Sequence, residues 1–188
     1  MRLIILSVIF LISCNSGESS FWETQKSSFR YQDKKEFVSE NNLLAEYKTF
    51  KQIKHPLLDS IIGDSAYLYS WQNRDKTKNE FTVIKDEDEL GLKIFYFILS
   101  KSDKLISWSQ VAGKGAEAEY WFETSSKFIN RDSMIKTEST TQWLDFEKLQ
   151  PLQTTKGDTT YSYLIIDSTG EMTEKIFKEV KDLHFENE

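Results

Sequence analysis

The 188-residue chain holds one cysteine, two prolines, seven glycines and two histidines. A single thiol excludes an intrachain disulfide, so the fold must rest on its apolar core even where oxidation is possible. Scarce glycine and proline exclude collagen-like sequence and long low-complexity linkers. His55 and His184 have no HxxxH-type partner and no spare cysteine beside them, so no zinc-ligand pattern is present and no cofactor is expected. Basic residues are also in deficit, with 24 Lys and Arg against 30 Asp and Glu. That sign excludes nucleic acid, which needs a basic footprint, and argues against broad electrostatic attachment to anionic lipid. A run long enough to span a bilayer is missing too. The longest, from Leu3 to Ile12 and broken by Ser7, falls short of the roughly 18–20 residues required.

Arg2, that apolar run and the small residues closing it have the make-up of a secretory signal peptide. The exit is more specific. Leu11-Ile12-Ser13-Cys14 places an aliphatic residue, a tolerant position and a small residue before the chain's only cysteine. This resembles the lipobox of bacterial lipoproteins. The resemblance, confined to residues 1–14, implies a diacylglyceryl group on Cys14, cleavage just before it, and a new amino group open to further acylation. The expected organisation is a cleaved leader at 1–13, a lipidated tether and N-terminal segment at 14–32, and one domain at 33–188. The resemblance also implies a place in the cell envelope. In well-studied Gram-negative members an aspartate after the cysteine favours the inner membrane; Asn15 stands there instead, which favours the outer membrane, on its periplasmic or surface face. Two or more acyl chains hold stably where one holds only reversibly. The membrane is thus the first expected partner.

Past the tether the sequence changes texture twice. Phe21 and Trp22 are expected to dock on the domain rather than enter the membrane interface. Asp33 and Glu36 have the spacing of a capping box, and Leu43, Leu44, Tyr47, Phe50 and Ile53 recur at helical spacing, which predicts a helix near 34–54. His55-Pro56 ends it. A second short helix at 57–62 stops at Gly63. From residue 66 the pattern becomes β, with runs at 66–71, 81–84, 92–99, 105–111, 118–123, 127–131, 134–143 and 160–166. Connections this short require antiparallel hairpins in chain order. The 92–99 run is apolar almost throughout, as in a strand covered on both faces. Asp167-Ser168-Thr169-Gly170 reads as a hairpin turn. The 171–185 segment fits either a helix or a strand, and the preceding hairpin favours a strand. The predicted fold is α+β and mainly β: an N-terminal helix packed on a curved antiparallel meander of about eight strands.

Candidate sites are sparse. Asp86-Glu87-Asp88-Glu89 with Gly91 has part of a calcium-loop spacing but lacks two ligand positions, and a solvated hairpin loop is expected. Gly113-Lys114-Gly115 lacks the phosphate-loop spacing and is expected to be a turn. Glu117, Glu119, Glu123 and Asp132 could supply a carboxylate pair for glycoside hydrolysis, and no GxSxG elbow supports a serine triad. Aromatic content is high, at 14%. Tyr67, Tyr69, Trp71, Trp108, Tyr120, Trp121 and Trp143 all fall on predicted strands. Trp108 lies between Ser107 and Ser109, and Trp121 on the face shared by Glu119 and Glu123. A binding surface including Trp71, Trp108 and Trp121 is therefore the candidate site, for an envelope protein, a glycan or a lipid. The expected function is a lipid-anchored, non-enzymatic binding module. The alternatives are an envelope hydrolase acting on glycan or peptide through carboxylates, a lipid- or lipoprotein-handling module, and an inhibitor or immunity-type protein with an acidic surface.

Overall fold

The computed structural model describes residues 20–38, 41–63, 66–87, 91–117, 120–143 and 154–186. The leader and Cys14, Asp88, Glu89 and Glu119 lie outside them. In chain order the elements are α1 (Phe21–Gln25) with a 3-10 turn (Lys26–Ser28), β1 (Tyr31–Gln32), β2 (Glu36–Phe37), α2 (Asn41–Glu46) with a 3-10 turn (Tyr47–Thr49), β3 (Gln52–Ile53) and α3 (Pro56–Ile62). Eight longer strands follow: β4 (Ala66–Gln72), β5 (Lys78–Asp86), β6 (Gly91–Ser100), β7 (Leu105–Glu117), β8 (Tyr120–Asn130), β9 (Ser133–Trp143), β10 (Thr154–Ile166) and β11 (Met172–Glu186).

Strands β4 to β11 pair in chain order, each antiparallel to the next. The meander expected from the short connections is therefore present, and the ambiguous C-terminal segment is its last strand. Three short N-terminal strands complete the sheet. β1 runs parallel to β4, β3 pairs with the start of β4, and β2 pairs with β8. The β5–β6 ladder runs through nine pairs without a register shift, whereas β7 carries two against β6. β8 follows β7 only from Tyr120 to Thr124 and then takes β2 as its neighbour. At that bend Val111 and Ala112, consecutive residues, both enter the same core.

The alternation along β6 divides the molecule. Leu92, Ile94, Tyr96 and Ile98 pack with Phe37, Leu43, Tyr47, Phe50, Phe128, Met134, Leu164 and Ile166. Phe95, Phe97 and Leu99 pack with Trp22, Phe29, Leu58, Ile62, Leu68, Trp71 and Phe81. Each such side chain contributes roughly 1.5–3 kcal/mol on burial, so a strand covered twice gains about twice what a half-exposed one does. The first face of β6 is covered by the N-terminal segment around α2 together with β8–β10, and the second by α1, α3 and Phe29.

Local chemistry explains the corrections. Within 34–54 only 41–49 is helical, because Glu36 and Phe37 are drawn into a ladder with Lys127 and Ser126. Tertiary pairing overrides the local pattern there. Asp33 adopts φ +56° in place of an N-cap conformation, yet Leu43, Tyr47 and Phe50 still share one core. The first helix among the described residues is α1, where Ser20 Oγ accepts from the Glu23 amide at 3.0 Å and Trp22 stacks on Phe81 at 4.3 Å. The two runs predicted at 118–123 and 127–131 fuse into β8. Gly113-Lys114-Gly115 is not a turn but mid-ladder, bonded to both β6 and β8. Gly91 has φ +116°, and a Cβ there would stand 1.9 Å from the Lys114 carbonyl oxygen. Glycine serves close backbone approach here rather than a bend. In the 167–170 turn, Asp167 Oδ1 accepts from the amides of Thr169, Gly170 and Glu171 at 2.8, 2.9 and 3.0 Å. This tip is fastened back onto the sheet. Ser107 Oγ donates to the Gly170 carbonyl at 2.6 Å, and Lys78 Nζ to that of Ser168 at 3.0 Å.

His55 starts a helix rather than ending one. Its Nδ1 accepts from the Leu57 amide at 3.2 Å, Pro56 fills the first helical position, and Gly63 at φ +69° ends the helix. Burial against Phe21 and Trp22 pushes its pKa below the ordinary 6.5, while Asp103 and Asp59 pull the other way. A depressed folded-state pKa means stability that is present above the unfolded value and lost as pH falls through the folded one. Protonation also removes the lone pair that caps the helix. The urea midpoint is therefore expected to drop as pH is lowered from about 7.5 to about 5.5, and to drop less in His55→Asn, whose amide oxygen caps at any pH. Equal pH slopes for the two proteins would contradict this role.

Candidate functional site

The three candidate tryptophans do not form one surface. Trp71 is buried, its ring nearly parallel to that of Phe81 (interplanar angle 7°), though it helps wall a cleft. Trp108 is 43% exposed and Trp121 48%. Trp108 lies opposite Phe97 on β6. Trp121 lies opposite Ala116, two residues beyond Lys114, which faces Leu92. Leu92 and Phe97 point to opposite sides of β6, so the two indoles stand on opposite sides of the sheet. Trp143 belongs to β9, and its side chain lies outside the described residues.

Trp121 belongs to the outer side of the β8–β11 half. Cross-strand neighbours there form rows: Lys127, Ile135, Tyr163 and Lys175, then Ser125, Thr137, Tyr161 and Lys178. Alternate residues point inward, where Phe128, Met134 and Leu164 join the core. Ser126, Lys136 and Ser162 are buried beside them. Lys136 is neutralised by Glu138 at 3.0 Å and Glu174 at 3.2 Å. Outward, Ile129 is 51% exposed, Ile165 42% and Phe177 46%. Phe177 stacks on Tyr163 at 4.4 Å and Lys178 Nζ sits 5.2 Å from the Tyr161 ring centre. None of these outward residues belongs to either core among the described residues.

A second arrangement, not foreseen from the sequence, centres on Arg74 in the β4–β5 loop. Its guanidinium donates to Tyr96 Oη at 3.1 Å and to Asp132 Oδ1 at 3.1 Å, and lies 3.3 Å from Glu80 Oε2. Tyr96 Oη donates to the same Glu80 oxygen at 2.5 Å. Burial, then the Glu80 charge, push the Tyr96 hydroxyl well above its ordinary pKa of 10.0, fixing it as a donor. Arg131 donates to the Arg74 carbonyl, and the Arg74 guanidinium lies 4.9 Å from the Phe128 ring centre. Three clefts of about 460, 280 and 340 Å³ meet at Arg74. The network ties the β4–β5 loop, β5, β6 and the β8–β9 turn together across the bend. No spacing motif announces it, since its members are 74, 80, 96 and 132. The only local signal is a glutamate inside an otherwise buried strand.

The remaining sequence candidates separate in space. Glu123 lies mid-β8 on the outer side, whereas Asp132 sits in the turn after β8 and is held by Arg74. The side chain of Glu117 lies outside the described residues. In the acidic loop, Glu87 pairs with Lys85 at 2.8 Å and with Lys93. Burial raises the Glu87 pKa, but the hydrogen bonds from these lysines outweigh it, leaving the carboxyl below its ordinary range. Tyr47 donates to Asp86. Among the described residues no three metal-ligating side chains cluster, and no helix is long and apolar enough to cross a membrane. Comparison with known proteins finds no matching family model, curated protein or solved structure.

Removing one partner from a buried ion pair leaves the other uncompensated, at about 3–5 kcal/mol. Arg74 and Glu80 have side chains only 5% exposed. Arg74→Met is therefore expected to lower the urea-derived stability by about that amount. Adding Glu80→Gln should restore part of the loss. A double variant less stable than the single one would show that the pair does not act as a unit.

Proposed function

We propose that this chain is a lipid-anchored protein of the bacterial cell envelope whose single domain is a non-enzymatic binding module. The support at the N-terminus is the lipobox-like Leu11-Ile12-Ser13-Cys14, with Asn15 favouring the outer membrane. The support in the domain is one observation: the outer side of β8–β11 presents Trp121, Ile129, Ile165 and Phe177 to solvent, while the inner side of β8–β10 is packed and only the last strand, at Ile176, is exposed there as well. A face built that way suits recognition of another surface better than it suits chemistry. Of the carboxylates considered for hydrolysis, the two whose side chains are described do not oppose one another, Asp132 being held by Arg74 and Glu123 standing on the outer side of β8.

Tethering is the mechanism. Acyl chains at Cys14 hold the domain beside the bilayer and raise its effective concentration for partners there. The domain's first described residue, Ser20, is six residues past Cys14, a reach of at most ~20 Å. Intact-mass analysis of the mature protein is expected to show loss of residues 1–13 and an acyl adduct at Cys14. Cys14→Ala should release the domain from membranes or leave the leader uncleaved. Recovery of the wild-type chain with Met1 retained and a free thiol would refute the reading.

A further inference from the structure

The outer side of β8–β11 carries basic side chains beside its exposed apolar ones. Overall the protein is acidic, at net −6. On this side the cross-strand rows bring Lys127, Lys175 and Lys178 around Ile135, Tyr161 and Tyr163, and the next row, Glu123, Ser139, Thr159 and Val180, adds one carboxylate. Lys114 stands opposite that carboxylate. Lys127 also approaches Glu36 at 3.7 Å, an exposed pair that contributes little. Lysines flanking projecting isoleucine and aromatic side chains match the interface of an anionic bilayer, where cations meet headgroups and apolar tips enter just below them.

The position of the tether points to the same occupant. Ser20 Oγ accepts from Asn79 Nδ2 at 2.7 Å, and Phe21 N donates to Asp103 Oδ2 at 2.6 Å, in the β6–β7 turn. The neighbouring Lys78 holds Ser168 in the β10–β11 turn. The chain therefore enters the domain at the end of the sheet where the 73–77 loop and the 101–104, 131–132 and 167–170 turns gather. Ile129 and Ile165, the most exposed isoleucines of β8 and β10, are two residues from their turns at that end.

We propose that the outer side of β8–β11 rests against the anionic lipid surface that carries the anchor, with Ile129, Ile165 and Phe177 entering the interface and Lys127, Lys175 and Lys178 meeting headgroups. This rests on the lipid-anchored reading above. The acidic balance of the whole chain is compatible with it, because screening confines each charge to about 8 Å at physiological salt and the local lysines decide.

Acylation of Cys14 blocks the chain's only native thiol, so a second cysteine can be labelled alone. The test uses the full acylated protein in vesicles of phosphatidylcholine with about 30 mol % phosphatidylglycerol, carrying a polarity-sensitive fluorophore at Ile165→Cys or, as control, at Ser60→Cys on α3. The label at 165 is expected to shift to the blue and to be quenched by spin-labelled lipid, while the label at 60 stays in water. Lys175→Glu with Lys178→Glu should reduce that quenching by about fivefold without moving the urea midpoint. A label at 165 that stays in water on protein whose mass confirms the acyl adduct overturns the proposal. So does a blue shift that needs no vesicles and grows with protein concentration, which would mark a second copy as the occupant, or one that needs an added acidic protein. Protein lacking the adduct defeats the anchored reading itself, and the proposal with it.

Discussion

Strand β6 commits every large apolar side chain to one core or the other, and this double burial is the constraint from which the rest of the architecture follows. A strand apolar on both sides cannot lie at an edge or face water. It needs a regular neighbour on each side, supplied by β5 and β7, and a cover on each face. One cover is the N-terminal segment, with Trp22 stacked on Phe81. The other requires the sheet to come back over itself. The bend at Val111–Ala112, the departure of β8 from β7, and the anchoring of the 167–170 turn on Lys78 and Ser107 are the means by which it does so.

Where the sheet bends, hydrophobic packing alone leaves polar atoms to be satisfied. Arg74, Glu80, Tyr96 and Asp132 form an ion and hydrogen-bond network at that place, and Lys136 with Glu138 and Glu174 forms another further along β9. Such networks add little net stability compared with apolar replacements, but they punish any arrangement that leaves a member unpaired. The Arg74 network, through Asp132, therefore fixes how the bent half sits on the flat half, and the Lys136 network fixes β9 against β11. The same bend turns one side of β8–β11 outward, and that side carries the proposed membrane contact.

Much of this was legible in the sequence, and the reasons for the failures are specific. Short connections between β-rich runs gave the order of the meander, and the unbroken apolar run from Leu92 to Leu99 marked the central strand. The segment 34–54 misled because helical spacing of Leu43, Tyr47 and Phe50 is local, whereas the pairing of Phe37 with Ser126 is 89 residues distant and invisible to periodicity. Glycines at 113 and 115 suggested a turn because their use in close backbone approach depends on partners across the ladder, Gly91 opposite Gly115 and Lys93 opposite Gly113. Polar neighbours of Trp108 and Trp121 suggested outward-facing rings, but which side of the sheet each occupies depends on the register through β6. The Arg74 network has no spacing signature at all, since the β5–β6 ladder and the loop before it bring Arg74, Glu80 and Tyr96 together and the bend adds Asp132.

Amide hydrogen exchange, resolved along the chain, tests the organisation around β6 most directly. Amides of β6 are expected to exchange only through global unfolding, while those of β11, packed on one neighbour with its outer side free, exchange through local opening at far lower free energy. Protection of β11 equal to that of β6, or early exchange within β6, would contradict it.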